Sequence, residues 1–433
     1  MRDSRELLLG SFRAAVAAAD PLRIVPQHLP QPPQGCTLVV GAGKAAASMA
    51  LAVEQHWPAD APLAGTVITR YAHGLLTNRI TVVEAGHPVP DEAGEAAAKR
   101  IFDSVKRLSK DDLLLALISG GGSSLLSLPV ETISMADLKT VTQELLRCGA
   151  AIQEINAVRK HLSRIQGGRL ASACKAKILA LIISDVTGDD PTHIASGPCA
   201  PDPTTYQDAL DILKRYSCTI PAAVQETLAR GSRGELAETP KPADKIFAKT
   251  ENRVIATARQ SLQSAANFFE ANGVRAAILG DSVTGEAREV AKVYAALARE
   301  VKTHSQPWQP PVALISGGEC TVTVKGNGRG GRCAEFLLSL VNDLQGAAGI
   351  HALACDTDGI DGSEDNAGAI MTPASYARAT QLGLRADQLL ENNDGYGFFA
   401  ALDDLVITGP TRTNVNDYRA ILVTAVPGST RDF

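Results

Sequence analysis

The 433-residue sequence is poor in aromatics, at 4%, and its formal net charge is only -5. So little aromatic bulk does not suit an aromatic-rich β-sandwich, whereas abundant Ala and Gly favour close helix-to-sheet packing in layered α/β domains. The slightly acidic balance gives no global attraction to nucleic acid, so anionic small molecules would need local basic pockets. No apolar run is long enough to span a bilayer, which predicts a cytoplasmic protein without a membrane partner. Eight cysteines are scattered without a CxxC pair, and read as reduced packing residues, not zinc ligands or a disulfide frame. The opening stretch, residues 1–20, has its apolar residues interrupted by Arg13 and Asp20. That predicts an amphipathic helix ended by Pro21 in place of a targeting peptide.

What is present is a repeated strand, loop and helix pattern. TLVVGAGKAAASM, LAGTVITR, RITVVEA, DDLLLALIS and KAKILALIISD supply buried strands of a Rossmann-like, largely parallel sheet over about 240 residues. The polar segment around 231–250 marks the domain boundary, giving an N-terminal domain at 1–240 and a smaller α/β domain at 250–433. In the second, NRVIATARQSLQSAANFFEANG and GEAREVAKVYAALAREVK read as long helices. PPVALIS, TVTVKG, HALACD, LVIT and RAILVTAV read as strands, and the alternation of TVTVKG predicts a mixed sheet. LALISGG and VALISGG form a faint internal echo that hints at two related halves.

The candidate chemistry sits in loops. HALACDTDGIDGSEDNAG carries Asp356, Asp358 and Asp361, a set that repels itself unless a cation or a metal-bound polyphosphate settles it, which points to Mg²⁺. The alternative is a solvated turn, because Asp-Gly is ordinary turn language. It is no EF-hand, since Ile360 and Asp361 occupy positions that motif reserves for other residues. VVGAGKAAASM brings Gly41, Gly43 and Lys44 to a helix start, where backbone amides and an ammonium can meet an anion. It breaks the dinucleotide fingerprint at Ala46 and is not a nucleotide P-loop.

SGGGSSLLSLP offers consecutive amides at Gly120, Gly121 and Gly122 with the hydroxyls of Ser123 and Ser124. GRGGRCAEF adds Arg329 and Arg332, whose guanidinium forks suit phosphoryl oxygens, against the bland reading of tight turns with exposed arginine. NAVRKHLSRIQGGRL gathers Arg159, Lys160 and Arg169, able to meet a carboxylate or phosphates, or else to form a solvated helix face. SDVTGDDPTHIASGP places Asp185 at a strand end, where it could take a hydroxyl proton, with Asp189 as a looser metal candidate. Thr411 and Asn414 in GPTRTNVND can hold phosphates or shape a loop, and His87 in GHPVPD reads as a turn builder.

Taken in order, GAGKAA, GHPVPD, SGGGSSLL, NAVRKHLSRIQGGRLA, SDVTGDDPTHIASGP, SGGE, GRGGR, DTDGIDG and GPTRTNVND resemble the MOFRL-type glycerate 2-kinase family over essentially the whole chain. The resemblance implies ATP- and Mg²⁺-dependent phosphorylation of D-glycerate to 2-phosphoglycerate, with the site in an interdomain cleft of a monomer or homodimer. It implies catalytic roles for Lys44, Asp185 and Arg332, and adds Gly317 and Gly318 to the nucleotide loops. Cys333 stands where the family usually has Asn. Tartrate-utilisation relatives labelled hydroxypyruvate reductase make a nicotinamide-dependent reductase the main rival, and an anion-sensing α/β protein the non-enzymatic one.

Overall fold

The computed structural model describes residues 3–425, so the first two residues of the predicted opening helix and residues 426–433, with the last residue of RAILVTAV, lie outside the described residues. The chain forms two compact units, one of residues 21–255 and one of residues 1–20 with 256–433.

The 21–255 unit is built on six strands: β1 (Thr37–Ala42), β2 (Leu63–Arg70), β3 (Ile80–Ala85), β4 (Leu113–Ile118), β5 (Lys177–Ile183) and β6 (Thr250–Ala256). Their order is β3-β2-β1-β4-β5-β6, and every pairing from β3 across to β5 is parallel. β4 is buried along its entire length and β5 along all but its first residue, as the unbroken runs LLLALI and ILALII require of strands covered on both faces. The direction of winding reverses between β1 and β4. In open α/β sheets, ligands bind outside the carboxyl ends of the strands at such a switch point.

The other unit holds β7 (Arg275–Gly280), β8 (Val312–Gly318), β9 (Ile350–Asp356), β10 (Gly368–Met371), β11 (Leu405–Val406) and β12 (Asp417–Val423), in the order β11-β10-β9-β12-β8-β7. Only the β7 to β8 pairing is parallel. Because β8 and β9 both run antiparallel to the β12 between them, their carboxyl ends share one edge with the start of β12, where Asp417 faces Gly318 on one side and Asp356 on the other.

Several expectations need correction. The opening helix, Ser4–Ala18, was expected in the N-terminal domain but packs on the helix Ala258–Ala271 and buries Leu7, Leu8 and Phe12 in the second unit's core. The predicted boundary at 240–250 falls short, because Thr250–Ala256 is the sixth strand of the first sheet and not the start of a long helix. The capping box of Thr257 and Gln260 marks where that strand gives way to the helix. TVTVKG forms no strand; it contributes only an isolated bridge between Glu286 and Thr321, and the mixed character of the sheet comes from β10 and β12. The internal echo does not extend to topology, since β4 lies between parallel neighbours while β8 has one antiparallel neighbour.

Candidate active site

Lys44 follows the end of β1 at the switch point, and the loop after β4 lies directly beside it. The two loops are bonded together: the Lys44 amide donates to the Gly120 carbonyl at 2.8 Å and the Ala45 amide to Ser119 Oγ at 3.0 Å. Gly43 donates to Ile68 and Ala46 to Gly43. The amides expected to cradle an anion after β1 are therefore already bonded, and Gly41 lies within the strand. The reason for glycine at 43 is packing, because a Cβ there would meet Ser119 Oγ at 2.1 Å. Lys44 brings its ammonium to this edge, but not an amide nest.

The loop after β4 differs. Gly121 adopts φ +78, and a Cβ on it would lie 2.8 Å from His87 Nε2 and 3.4 Å from Lys44 Cγ. Among the described residues, the amides of Gly120 and Gly121 donate to no backbone carbonyl, whereas Gly122 donates to Ser119. Ser123 Oγ pairs with Ser196 Oγ at 2.8 Å, and Ser196 reaches Asn156 at 3.1 Å. Ser124 turns back to the Gly121 carbonyl.

The basic helix Ile152–His161 divides its cations. Arg159 is buried and donates to the Ser123 carbonyl at 2.5 Å, an acceptor shared with Gln166 Nε2 at 2.8 Å. Among the described residues Arg159 has no carboxylate partner, and desolvation pulls its guanidinium down to about 10. Lys160 instead forms a buried pair with Asp202 at 3.4 Å, and Arg169 donates to Tyr206 Oη and the Ala237 carbonyl. Of the three predicted substrate contacts, only Arg159 reaches the glycine loop. Asp185 follows β5 on the same sheet edge and is partly exposed. Asp189 is a turn residue at φ +54, its amide bonded to Val186.

In the second unit the edge of β8, β9 and β12 collects alternating charges. Arg332, first residue of the helix Arg332–Leu344, donates through Nε to Asp417 at 2.7 Å and through Nη2 to Asp356 at 2.6 Å; Glu319 lies 3.4 Å from Nη1. Asp417 in turn accepts from the buried Arg419 at 2.5 Å. These carboxylates hold the Arg332 guanidinium well above its ordinary range despite the opposing desolvation. Arg329, predicted to clamp phosphate, instead pairs with Glu364 at 2.9 Å and lies over Tyr396.

The acidic loop is not arranged as a metal cage. Asp361 is fully buried and accepts from the Cys333 and Ala334 amides at 3.0 and 2.8 Å, capping a helix whose own N-cap is Gly331. Glycine is needed there, since a Cβ on Gly331 would sit 2.2 Å from Asp361 Oδ1. Desolvation chiefly, with a smaller push from Asp417, raises the Asp361 carboxyl to about 7 against the pull of those two amides. Asp356 accepts from Arg332 and from the Asp358 amide, and Asp358 Oδ1 accepts from Ile360. Among the described residues, no group of three His, Cys, Asp or Glu side chains could hold a metal ion. Of the predicted set Asp189, Asp356, Asp358 and Asp361, Asp356 is bonded to Arg332 and Asp361 to a helix start, while Asp189 lies in the other unit.

Thr411 donates to the Thr357 carbonyl at 2.5 Å, and Thr357 bonds Asn416 and Val415, so the GPTRTN loop is laced to the acidic loop with Asn414 inside it. Gly317 and Gly318 end β8, where a Cβ on Gly318 would meet Val283 at 2.3 Å. The departure at Cys333 falls in the core, and its thiol is raised well above its usual range by burial. Sequence reasoning passed over Arg419 and undervalued Asp417, although DYR at the head of a strand puts both on one face. As expected, His87 lies in a bend after β3.

Residues 7–229 match the family described as Domain of unknown function (DUF4147), and residues 312–417 match the MOFRL family. A putative hydroxypyruvate reductase of Agrobacterium vitis is 48% identical over 97% of this chain and 94% of its own length. The glycerate 2-kinase of Pyrococcus horikoshii is 38% identical, with 99% of each chain covered. The crystal structure of glycerate kinase from Thermotoga maritima has a TM-score of 0.86 at 37% identity, covering 97% of this chain and 99% of that one. Among the described residues no helix is long and apolar enough to cross a membrane.

Proposed function

The chain belongs to the MOFRL-type glycerate 2-kinase family, and from that membership we propose that it transfers the terminal phosphoryl group of ATP to the 2-hydroxyl of D-glycerate, forming 2-phosphoglycerate and ADP. The observation that carries the reading is the switch point itself. It presents an ammonium, a glycine loop with amides turned away from the backbone ladder, and a carboxylate at the end of β5, all on one sheet edge.

ATP fits that edge through the Gly120 and Gly121 amides and Lys44, because phosphoryl transfer asks chiefly for positioning and for neutralisation of charge on the moving group. Asp185 is assigned the proton of the attacking hydroxyl, and Arg159 an oxyanion of either substrate. Arg332, already shared among carboxylates, is assigned the positive charge of the β8, β9 and β12 edge. Magnesium does not fit as the occupant of an all-protein cage, since both oxygens of Asp356, Asp361 and Asp417 accept bonds from this chain. It would enter with the nucleotide, keeping several waters, as that ion commonly does.

A dinucleotide reductase is the weaker reading, despite the name carried by the Agrobacterium vitis relative. The pyrophosphate of a dinucleotide needs the amides at the first strand-to-helix turn, and here those amides are consumed. Purified protein given ATP, Mg²⁺ and D-glycerate should yield a phosphorus NMR signal of 2-phosphoglycerate. NADH oxidation by hydroxypyruvate with no phosphorylated product would overturn the assignment, and 3-phosphoglycerate as the sole product would overturn its regiochemistry.

A further inference from the structure

The connection that leaves β5 contains a short turn with an uncommon backbone. Ala195, Ser196 and Gly197 follow one another at φ +49, +56 and +59, a left-handed run in which two of the three residues carry a side chain. Glycine enters that region freely, but an L-residue with a Cβ does so at a cost, and such residues normally occur there singly. Neighbouring backbone holds the turn in place: the Gly167 amide donates to the Ser196 carbonyl at 3.0 Å and the Gly168 amide to the Gly197 carbonyl at 2.8 Å. Strain kept by its surroundings in this way gathers at functional sites.

What the turn touches is the glycine loop after β4. Ala195 presses on it so closely that a Cβ on Gly122 would stand 2.5 Å from the Ala195 Cβ. The fully buried Ser196 meets Ser123 of that loop at 2.8 Å, and on its other side Asn156 of the helix Ile152–His161 at 3.1 Å. Arg159, Gln166 and Ser127 all donate to the Ser123 carbonyl. Ser123 is therefore gripped at both its hydroxyl and its carbonyl, just after Gly120 and Gly121. The direction of the hydroxyl chain follows from counting protons. Ser196 has one, and gives it to Asn156 Oδ1, so Ser123 must be the donor in its bond to Ser196. The Ser123 oxygen is left with acceptor capacity only.

We propose that Ser196 and Asn156 are positioning residues for phosphoryl transfer: the chain Ser123–Ser196–Asn156, set by the left-handed turn, fixes the glycine loop so that the Gly120 and Gly121 amides meet the transferring group without rearrangement. Donors already in place where charge develops lower the barrier without tightening the ground state. Ser123, its proton committed to Ser196, orients the loop and donates to no phosphate oxygen.

This inference takes its reaction from the phosphotransfer reading, and one arm of its test does not. Steady-state kinetics with ATP, Mg²⁺ and D-glycerate, together with thermal unfolding, are measured on the full chain for wild type, Ser196→Gly, Asn156→Leu and the double variant. Ser196→Gly removes the hydroxyl while relieving the left-handed strain, so its Tm should equal or exceed that of wild type even as kcat falls at least 10-fold with both KM values within 3-fold. A merely structural serine would not separate the two in this direction. Asn156→Leu should lower kcat by a similar factor, and the double variant should fall no more than 3-fold below the weaker single variant, because both substitutions cut one chain. A folded Ser196→Gly with kcat within 3-fold of wild type overturns the assignment, as do single effects that multiply in the double variant. The other arm is hydrogen exchange of the peptide 119–126, which should quicken at least 10-fold in Ser196→Gly while β4 keeps its protection; unchanged exchange overturns the positioning role. If wild type phosphorylates no glycerate, the assigned reaction fails, and the exchange result alone decides whether the turn holds the loop.

Discussion

Asp361→Asn separates a helix cap from a metal ligand, two roles that the acidic loop could otherwise share. The Asp361 carboxyl has a raised pKa of about 7 in the folded chain against an ordinary 3.8, so between those values the folded state holds a proton that the unfolded state releases. The sign follows from linkage: the group's contribution is full below about pH 4 and is lost as pH rises through 7. With ~1.36 kcal/mol per pH unit across the part of that window above pH 5, wild type should lose about 2 to 3 kcal/mol from this group between pH 5 and pH 8. Asparagine cannot ionise and still offers one acceptor to the Cys333 and Ala334 amides, so the variant should lack this decline. The assay is hydrogen exchange of peptides from the helix Arg332–Leu344 in mild denaturant across that pH range, with and without millimolar Mg²⁺. Parallel pH dependences for the two proteins would refute the buried-cap argument, and a stability gain on adding Mg²⁺ to wild type alone would restore Asp361 as a metal ligand.

Arg332→Lys keeps the charge but cannot serve Asp356 and Asp417 at once through a planar fork, so kcat/KM should fall on the order of 10²-fold by steady-state kinetics; retained turnover would make the paired geometry irrelevant. Gly121→Ala combines a strained φ of +78 with a contact to the His87 ring, and thermal unfolding should show a loss of about 1 to 3 kcal/mol accompanied by a higher KM for one substrate. Arg159→Met removes a buried cation that has no carboxylate partner while Gln166 still satisfies the Ser123 carbonyl. Stability by denaturant titration should change by less than about 1 kcal/mol, and activity should drop at least 10-fold. A large loss of stability would mean that Arg159 serves the fold.

Much of the architecture is legible in the strands themselves. TLVVGA, LLLALI and ILALII are continuous apolar runs that only a sheet covered on both faces can bury, and that pattern alone places GAGK, SGGG and the Asp185 loop on one edge. What stays hidden is whatever depends on distant partners. Nothing local distinguishes GAGK amides bonded to Ser119 and Gly120 from amides free to bind a phosphate. Likewise DTDGIDG has the look of a cation site, and only Gly331, far along the chain, leaves room for Asp361 at the head of another helix. TVTVKG fails for the opposite reason, because alternation without neighbours to pair with is not enough to make a strand. The same blindness made Arg159, Lys160 and Arg169 look equivalent when burial and partner choice set them apart.

The position of the opening helix bears on how the chain is made. Since residues 1–20 pack with residues 256–433, the 21–255 unit is an insertion within the other, entered and left by single connections. During synthesis Ser4–Ala18 precedes its packing partner Ala258–Ala271 by roughly 240 residues, and at 5–20 residues per second the delay is on the order of 10 to 50 s. A helix of this length is marginal alone in water, so it waits with Leu7, Leu8 and Phe12 uncovered. The inserted unit needs nothing beyond β6 and can fold meanwhile; the outer one stays incomplete until β12, a central strand, leaves the ribosome. Folding is therefore ordered inside out, and the helix Ser4–Ala18 is among the last elements to find its place.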